Sequence, residues 1–180
     1  SIDDRSFEHC DSFESINVLE GNPMYLSYDG VMYTNEPSPK IFLFPLKKEG
    51  HLMFHPNMTS ISFDINYLSS SNITSITFGE KTKYIDSFAF RFFINLESIK
   101  MENVVTIGIS AFEECPKLKT VVFSEHLVDI GSGSFKECVE LTTVNYTGSL
   151  NLSHCLDIFT NCTKLKYINV LENFQYGTFC

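Results

Sequence analysis

Ile107-Gly108-Ile109-Ser110-Ala111-Phe112-Glu113-Glu114-Cys115-Pro116-Lys117-Leu118-Lys119-Thr120-Val121-Val122-Phe123 is the stretch on which the architecture turns. Its apolar marks are Ile107, Phe112, Cys115, Leu118, Val121 and Phe123, and the same offsets return along the chain. They recur as Ile130, Phe135, Cys138, Leu141, Val144 and Tyr146, and as Ile85, Phe90, Phe93, Leu96, Ile99 and Met101. Phe159, Cys162, Leu165, Ile168 and Val170 form a further copy opened by His154, and Ile2, Phe7, Cys10, Phe13, Ile16 and Val18 form an N-terminal one. The steps from Phe90 to Phe112, Phe135 and Phe159 are 22, 23 and 24 residues, the period of a solenoid of stacked coils. A worn copy lies between Ile61 and Phe78, ending in Ile73, Ile76 and Phe78, with its Phe lost and one residue inserted. Phe174 and Phe179 repeat the five-residue offset, which suggests a C-terminal cap over about 171–180.

Within each copy, Leu118 to Phe123 and Leu165 to Val170 alternate apolar and polar residues with period two, as a half-buried strand does. Stacking places one parallel strand per coil side by side. The piece from Phe112 to Cys115 is about one turn long and reads as a short helical or 3₁₀ segment on the other side. A single unit cannot bury its own apolar edge, so neighbours must cover it. Phe7, Phe90, Phe112, Phe135 and Phe159 then form one ladder. Cys10, Cys115, Cys138 and Cys162 form a second, read as buried free thiols in preference to disulfide partners. Coils are expected at about 1–19, 57–78, 81–101, 104–123, 127–146 and 150–170, in one domain.

The span from about 20 to 56 breaks the period. Asp29-Gly30 stands between Tyr25-Leu26-Ser27-Tyr28 and Val31-Met32-Tyr33, a strong hairpin signal. The span reads as a β-hairpin inserted between coils.

Composition narrows the function classes. The chain has 180 residues, 43% apolar, with 17 Phe, 8 Tyr and no Trp, and a net charge of -9. That charge argues against nucleic acid or anionic lipid as partner. No apolar run approaches the roughly 20 residues needed to span a bilayer. Ser1-Ile2-Asp3-Asp4 opens polar without the features of a signal peptide, and because a repeat already begins there the chain reads as a fragment of a longer protein.

The block Ile107 to Leu118 and its counterpart Ile130-Gly131-Ser132-Gly133-Ser134-Phe135-Lys136-Glu137-Cys138 resemble the BspA-like class of leucine-rich repeats. Glu20-Gly21-Asn22-Pro23 and Tyr28-Asp29-Gly30-Val31-Met32-Tyr33 resemble an interruption common in that class. The resemblance implies a right-handed leucine-rich-repeat superhelix with an inserted hairpin. It also implies a surface protein of anaerobic bacteria or some protozoan parasites, with adhesion to host proteins, cells or neighbouring bacteria. The worn copy and Phe93 in a Cys position depart from the pattern.

Chemistry-bearing residues are sparse. Cys155 and Cys180 fall outside the thiol ladder and are the better disulfide candidates in an oxidising compartment. No C-x-x-C occurs, so structural zinc has little support. His51 and His55 share an i, i+4 spacing, but Gly50 and Pro56 flank them, and a solvated loop is the better reading than a metal site. His154, Cys155 and Asp157 do not make a convincing nucleophile. Gly108, Gly131 and Gly133 are read as serving a tight bend. No cofactor, metal or catalytic group is expected. Five N-x-[ST] sequons, at Asn57, Asn72, Asn145, Asn151 and Asn161, mildly favour a secreted or surface protein.

A protein ligand is expected on the open sheet face. One outward column reads Ser15, Ser75, Ser98, Thr120, Thr143 and Tyr167. The next reads Asn17, Thr77, Lys100, Val122, Asn145 and Asn169. These are small and nearly uncharged, and they are also good strand residues in their own right. The hairpin aromatics Tyr25, Tyr28, Tyr33, Phe42 and Phe44 are a second candidate surface, unless their rings pack down on the coils. A structural stalk or a self-associating module remains the alternative to adhesion.

Overall fold

The computed structural model describes residues 10, 12–62, 72–148 and 157–170. Phe7, Asn151, His154, Cys155, Cys180 and the expected cap lie outside them. Chain order gives β1 (Tyr25–Tyr28), β2 (Val31–Thr34), β3 (Ile41–Leu43), β4 (Glu49–Met53), β5 (Ser60–Ile61), β6 (Asn72–Thr77) and β7 (Tyr84–Ile85). There follow β8 (Ser98–Lys100), β9 (Thr106–Ile107), β10 (Thr120–Val122), β11 (Asp129–Ile130), β12 (Thr143–Asn145) and β13 (Tyr167–Asn169).

The repeat closes into a parallel solenoid with two sheets rather than one. Strands β4, β6, β8, β10, β12 and β13 form a six-stranded sheet in that order, and β5, β7, β9 and β11 form a four-stranded one. The coils that begin with β4, β6, β8 and β10 each contribute a longer strand on one side and a two-residue strand on another. The second strand comes from the Ile that opens each copy: Ile61, Ile85, Ile107 and Ile130 all point inward and are buried.

The segment around each ladder Phe was expected to be a short helix or 3₁₀ piece, and neither occurs among the described residues. The backbone explains this. The residue two before each Phe has positive φ (Phe88 64°, Ser110 51°, Gly133 64°, Asp157 60°), as does the residue two after it (Phe92 64°, Glu114 57°, Glu137 62°, Asn161 62°). A left-handed residue on both sides of Phe stops a right-handed helix before it can start. The N–H groups bond across coils instead. Phe88, Phe90 and Phe92 donate to Ile109, Ala111 and Glu113 at 2.9, 2.7 and 3.0 Å, and Ser110, Phe112 and Glu114 donate to Ser132, Ser134 and Lys136 at 3.0, 2.7 and 2.8 Å. This turn wall satisfies its backbone laterally, as a sheet does.

The core is a set of ladders. Phe90, Phe112 and Phe135 stack near-parallel at 5.0 and 5.1 Å between centroids, and Phe159 joins at 5.8 Å. Each aromatic pair adds about 0.5–1.5 kcal/mol to the burial of its area. Phe93, in a Cys position, is buried and meets Phe90 edge-on at 5.2 Å. Cys115, Cys138 and Cys162 are buried free thiols whose Sγ–H groups donate to the carbonyls of Phe90, Phe112 and Phe135 at 3.2, 3.2 and 3.1 Å. Hydrogen bonding toward the neighbouring sulfur, which needs the protonated thiol, together with burial, holds Cys138 and Cys162 far above the ordinary thiol range. Cys10 is exposed and does not join this ladder.

Gly108 and Gly131 turn out not to serve φ. A Cβ on Gly108 would sit 2.3 Å from Ser87 N, and one on Gly131 2.4 Å from Ile109 N. The neighbouring coil's backbone fills the space a side chain would need. Of the three, only Gly133 has a positive φ.

The N-terminal part departs most from expectation. Asp29 (φ 49°) and Gly30 (φ 74°) form the two-residue turn of the β1–β2 hairpin, and β3 adds to β2 as a third antiparallel strand. The insertion ends sooner than 56, because Glu49–Met53 is already β4, the first strand of the large sheet. Its Leu52 and Phe54 are the buried pair of a strand whose upstream Leu position holds Glu49. The β4–β6 register skips Thr74, so the strands meet through a bulge. Asp29 closes the free edge of β4, accepting the Met53 N–H at 2.8 Å on Oδ2, which also pairs with Lys48 Nζ at 3.1 Å. An edge strand with unpaired N–H groups is thereby blunted.

Candidate functional site

The open face of the six-stranded sheet follows from strict alternation. On β6, β8, β10, β12 and β13 the buried Ile76, Ile99, Val121 and Val144, with the half-buried Ile168, leave the flanking residues outward. The registers align Ser75, Ser98, Thr120, Thr143 and Tyr167 in one column. Thr77, Lys100, Val122, Asn145 and Asn169 align in the other.

The heads of the columns differ from the sequence reading. Ser15 and Asn17 are not part of this sheet, because Ile16 N–H donates at 2.8 Å to Gly30 O and that segment docks on the hairpin tip. Their places are taken by His51 and Met53 on β4. His51 was assigned to a solvated loop, whereas its ring lies along the strand face. Nδ1 is 2.7 Å from Ser75 Oγ and Nε2 is 3.1 Å from Thr77 Oγ1. The signal for β4 was present in Leu52-Met53-Phe54, but two apolar residues without their upstream Leu are too short a pattern to separate from a hairpin.

Six strands spaced by about 4.8 Å make a face about 24 Å wide. At its far end Tyr167 is exposed and Asn169 Nδ2 donates to Asn145 Oδ1 at 2.7 Å. Charge is confined and paired: Lys100 meets Glu102 at 2.5 Å, and at the rim Lys119 meets Glu97 at 2.9 Å. Hydrogen bonding to Lys119 holds the Glu97 carboxyl below the ordinary glutamate range. A second cluster stands on the turn wall, where buried Glu113 lies between Arg91 Nε at 3.0 Å and Lys136 Nζ at 3.3 Å. Arg91 also lies over the Phe92 ring at 4.4 Å, so this group ties three coils together.

Part of the second candidate surface packs inward: Tyr33 is in the core and Tyr28 and Phe44 pack against it, while Tyr25 and Phe42 are only partly buried. Tyr28 and Tyr33 meet the His55 ring at 5.4 and 5.8 Å, and Tyr25 meets Phe42 at 4.6 Å. Tyr33 is fully buried, and desolvation drives its hydroxyl far above the usual tyrosine range; burial lowers the pKa of His55. His51 on β4 thus turns to Ser75 and Thr77, while His55, just after the strand, packs against Tyr28 and Tyr33. Of the described sequons, Asn72 and Asn161 are exposed while Asn57 and Asn145 are half-buried. No helix among the described residues is long and apolar enough to cross a membrane.

Comparison with known proteins follows the same lines. Residues 59–179 match, in six copies, the model of the BspA type leucine rich repeat region. A leucine-rich repeat protein from Eubacterium ventriosum superposes with a TM-score of 0.66 at 21% identity, over 88% of this chain and 43% of that one. A leucine rich cell surface protein from Faecalibacterium prausnitzii gives 0.69 at 19% identity, over 92% and 44%. A leucine-rich repeat protein of T. pallidum gives 0.56 at 16% identity, over 86% and 82%. The chain thus spans less than half the length of the first two. No curated protein sequence matches it.

Proposed function

The chain belongs to the BspA-type leucine-rich repeat family, and from that premise we propose that it is a non-enzymatic protein-binding module of a cell-surface or secreted protein. Its ligand is a protein, and adhesion to a host or extracellular-matrix protein is the activity. One observation carries the reading: the aligned columns from His51 and Met53 to Tyr167 and Asn169 make a continuous and nearly uncharged face of six strands. Such a face presents area rather than a pocket, which suits another folded surface. Tyr167 and Met53 supply exposed apolar contact at its two ends, the kind of residue that anchors interfaces. The cell-surface description of the Faecalibacterium relative supports the location.

The test is surface-plasmon binding to a panel of extracellular-matrix and plasma proteins, comparing the native chain with Thr120→Arg plus Thr143→Arg. These residues are directly paired across β10 and β12, so the change plants two adjacent cations in the middle of the face. Saturable binding that weakens by at least about tenfold in the double variant, about 1.4 kcal/mol, supports the reading. Binding to no panel member, with light scattering showing a monomer, would move the assignment to a structural stalk.

A further inference from the structure

The four-stranded sheet carries a feature of its own. A groove of about 590 Å³ opens on it, lined chiefly by Ser60, Tyr84, Asp86, Thr106, Gly108 and Asp129. Its shape follows from the coil registers. Ser60, Tyr84, Thr106 and Asp129 stand side by side on successive strands. With about 4.8 Å per strand, Tyr84 and Asp129 stand about 10 Å apart, separated by the small Thr106. Behind Thr106 comes Gly108, which has no side chain because the backbone of Ser87 occupies the Cβ position. The result is a saddle two coils wide, with Tyr84 and Asp86 on one bank, Asp129 on the other and bare backbone as its floor.

The lining chemistry discriminates between occupants. Tyr84 is 50% exposed, and its ring offers a flat face for C–H groups beside polar atoms. The two carboxylates accept charge-assisted hydrogen bonds from hydroxyl donors. Asp86 is already oriented, since Ser60 Oγ–H donates to its Oδ1 at 2.7 Å. An anionic ligand meets two carboxylates on a chain of net charge -9. A wholly apolar ligand would strand those carboxylates without partners. A cation shared by both acids is disfavoured, because Ser60 turns Asp86 toward β5 and away from β11, which carries Asp129. Among the described residues no three acidic, His or Cys groups gather as metal ligands.

What remains is a neutral ring bearing hydroxyls on its edge and C–H groups on its face. We propose that this groove binds a neutral saccharide, seating one pyranose ring between Tyr84 and Asp129. The site is separate from the large face, so a surface module of this build has one surface for protein and a second for glycan.

Saturation-transfer NMR with methyl glucoside, galactoside and mannoside tests it, with glucuronate and sialic acid as charged comparators. A neutral pyranoside should show saturable transfer, with weak affinity on the order of 1–10 mM. Tyr84→Ala and Asp129→Asn should each weaken it about tenfold, while Tyr84→Phe and Thr120→Arg plus Thr143→Arg leave it unchanged. Both Tyr84 and Asp129 are exposed, and an unaltered melting curve shows that loss is not unfolding. Absence of transfer for all three pyranosides overturns the proposal. So does transfer that survives both groove variants, or stronger binding by the charged sugars. A calcium titration that shifts the Asp86 and Asp129 resonances without any sugar effect assigns the groove to a cation and likewise overturns it.

Discussion

The coils from Phe90 to Phe159 and the hairpin-capped start of the solenoid solve the same problem in opposite ways. In the coils like residues support one another from turn to turn: Phe on Phe, thiol beside thiol, and backbone N–H to a backbone carbonyl of the next coil. At β4, the edge strand of the large sheet among the described residues, unique contacts take over. Asp29 caps Met53 and pairs with Lys48, and His55 is held between Tyr28 and Tyr33. The difference teaches that a repeat distributes stability over many like contacts, whereas a cap concentrates it in a few unlike ones.

The comparison can be broken in order of effect. Phe112→Ala removes a fully buried ring with stacking partners on both sides. Chemical denaturation should show a loss of about 3–5 kcal/mol, and the unfolding should remain a single transition because both neighbours lose their partner. Gly131→Ala tests the backbone rather than the side-chain ladder. Its new Cβ would lie 2.4 Å from Ile109 N, so coils must separate, at a cost on the order of 2–3 kcal/mol. A melting temperature equal to the native one would refute the close-approach account of that glycine.

Asp29→Ala probes the cap. It leaves the Met53 N–H without its acceptor and Lys48 without its pair, a loss of about 1–3 kcal/mol. Here the local readout sharpens the contrast: hydrogen exchange should accelerate in β4 and the hairpin while β10 and β12 keep their protection. Uniform acceleration would mean that cap and coils unfold as one unit.

The smallest effect is expected at the rim pair. Lys119 lowers the Glu97 pKa, so whatever stability the pair confers is present above the unfolded glutamate value and is lost as pH falls through the lower folded one. NMR titration should place the Glu97 midpoint below that of an ordinary glutamate, and Lys119→Met should return it. Both side chains are about half-exposed, and the melting temperature should barely move.

Several of these features were legible before any coordinates. Recurring offsets, with the worn copy at Ile61 to Phe78 counted among the five, placed the ladder from Phe90 to Phe159, the buried Cys115, Cys138 and Cys162, and the outward columns from Ser75 to Asn169. Repetition makes this possible, since five weak patterns in register amount to a strong one. Asp29-Gly30 marked its turn because few dipeptides tolerate two positive φ angles. His51 and Met53 were missed because their strand carries only half the pattern. Ser15 and Asn17 were over-read because a matching offset says nothing about which neighbour the segment pairs with. The groove had no sequence signal, because the offset before each opening Ile holds unlike residues, Ser60, Tyr84, Thr106 and Asp129, and Asp86 stands where other coils have Gly108 and Gly131.

By itself the sequence determined the period, and with it the inward residues of every regular coil, because apolar burial in a stacked array depends only on spacing along the chain. Tertiary structure decided whatever depends on what the next coil does. Left-handed residues flank each ladder Phe because their N–H groups bond sideways, so no helix forms there. Gly108 and Gly131 are bare because a neighbour's backbone passes within a bond's reach of them. The first strand of the large sheet is β4 rather than the segment at Ile16, because Asp29 covers its edge and the hairpin tip holds Ile16 aside. Spacing is a property of one chain segment; lateral pairing is a choice between segments, and only the folded chain makes it.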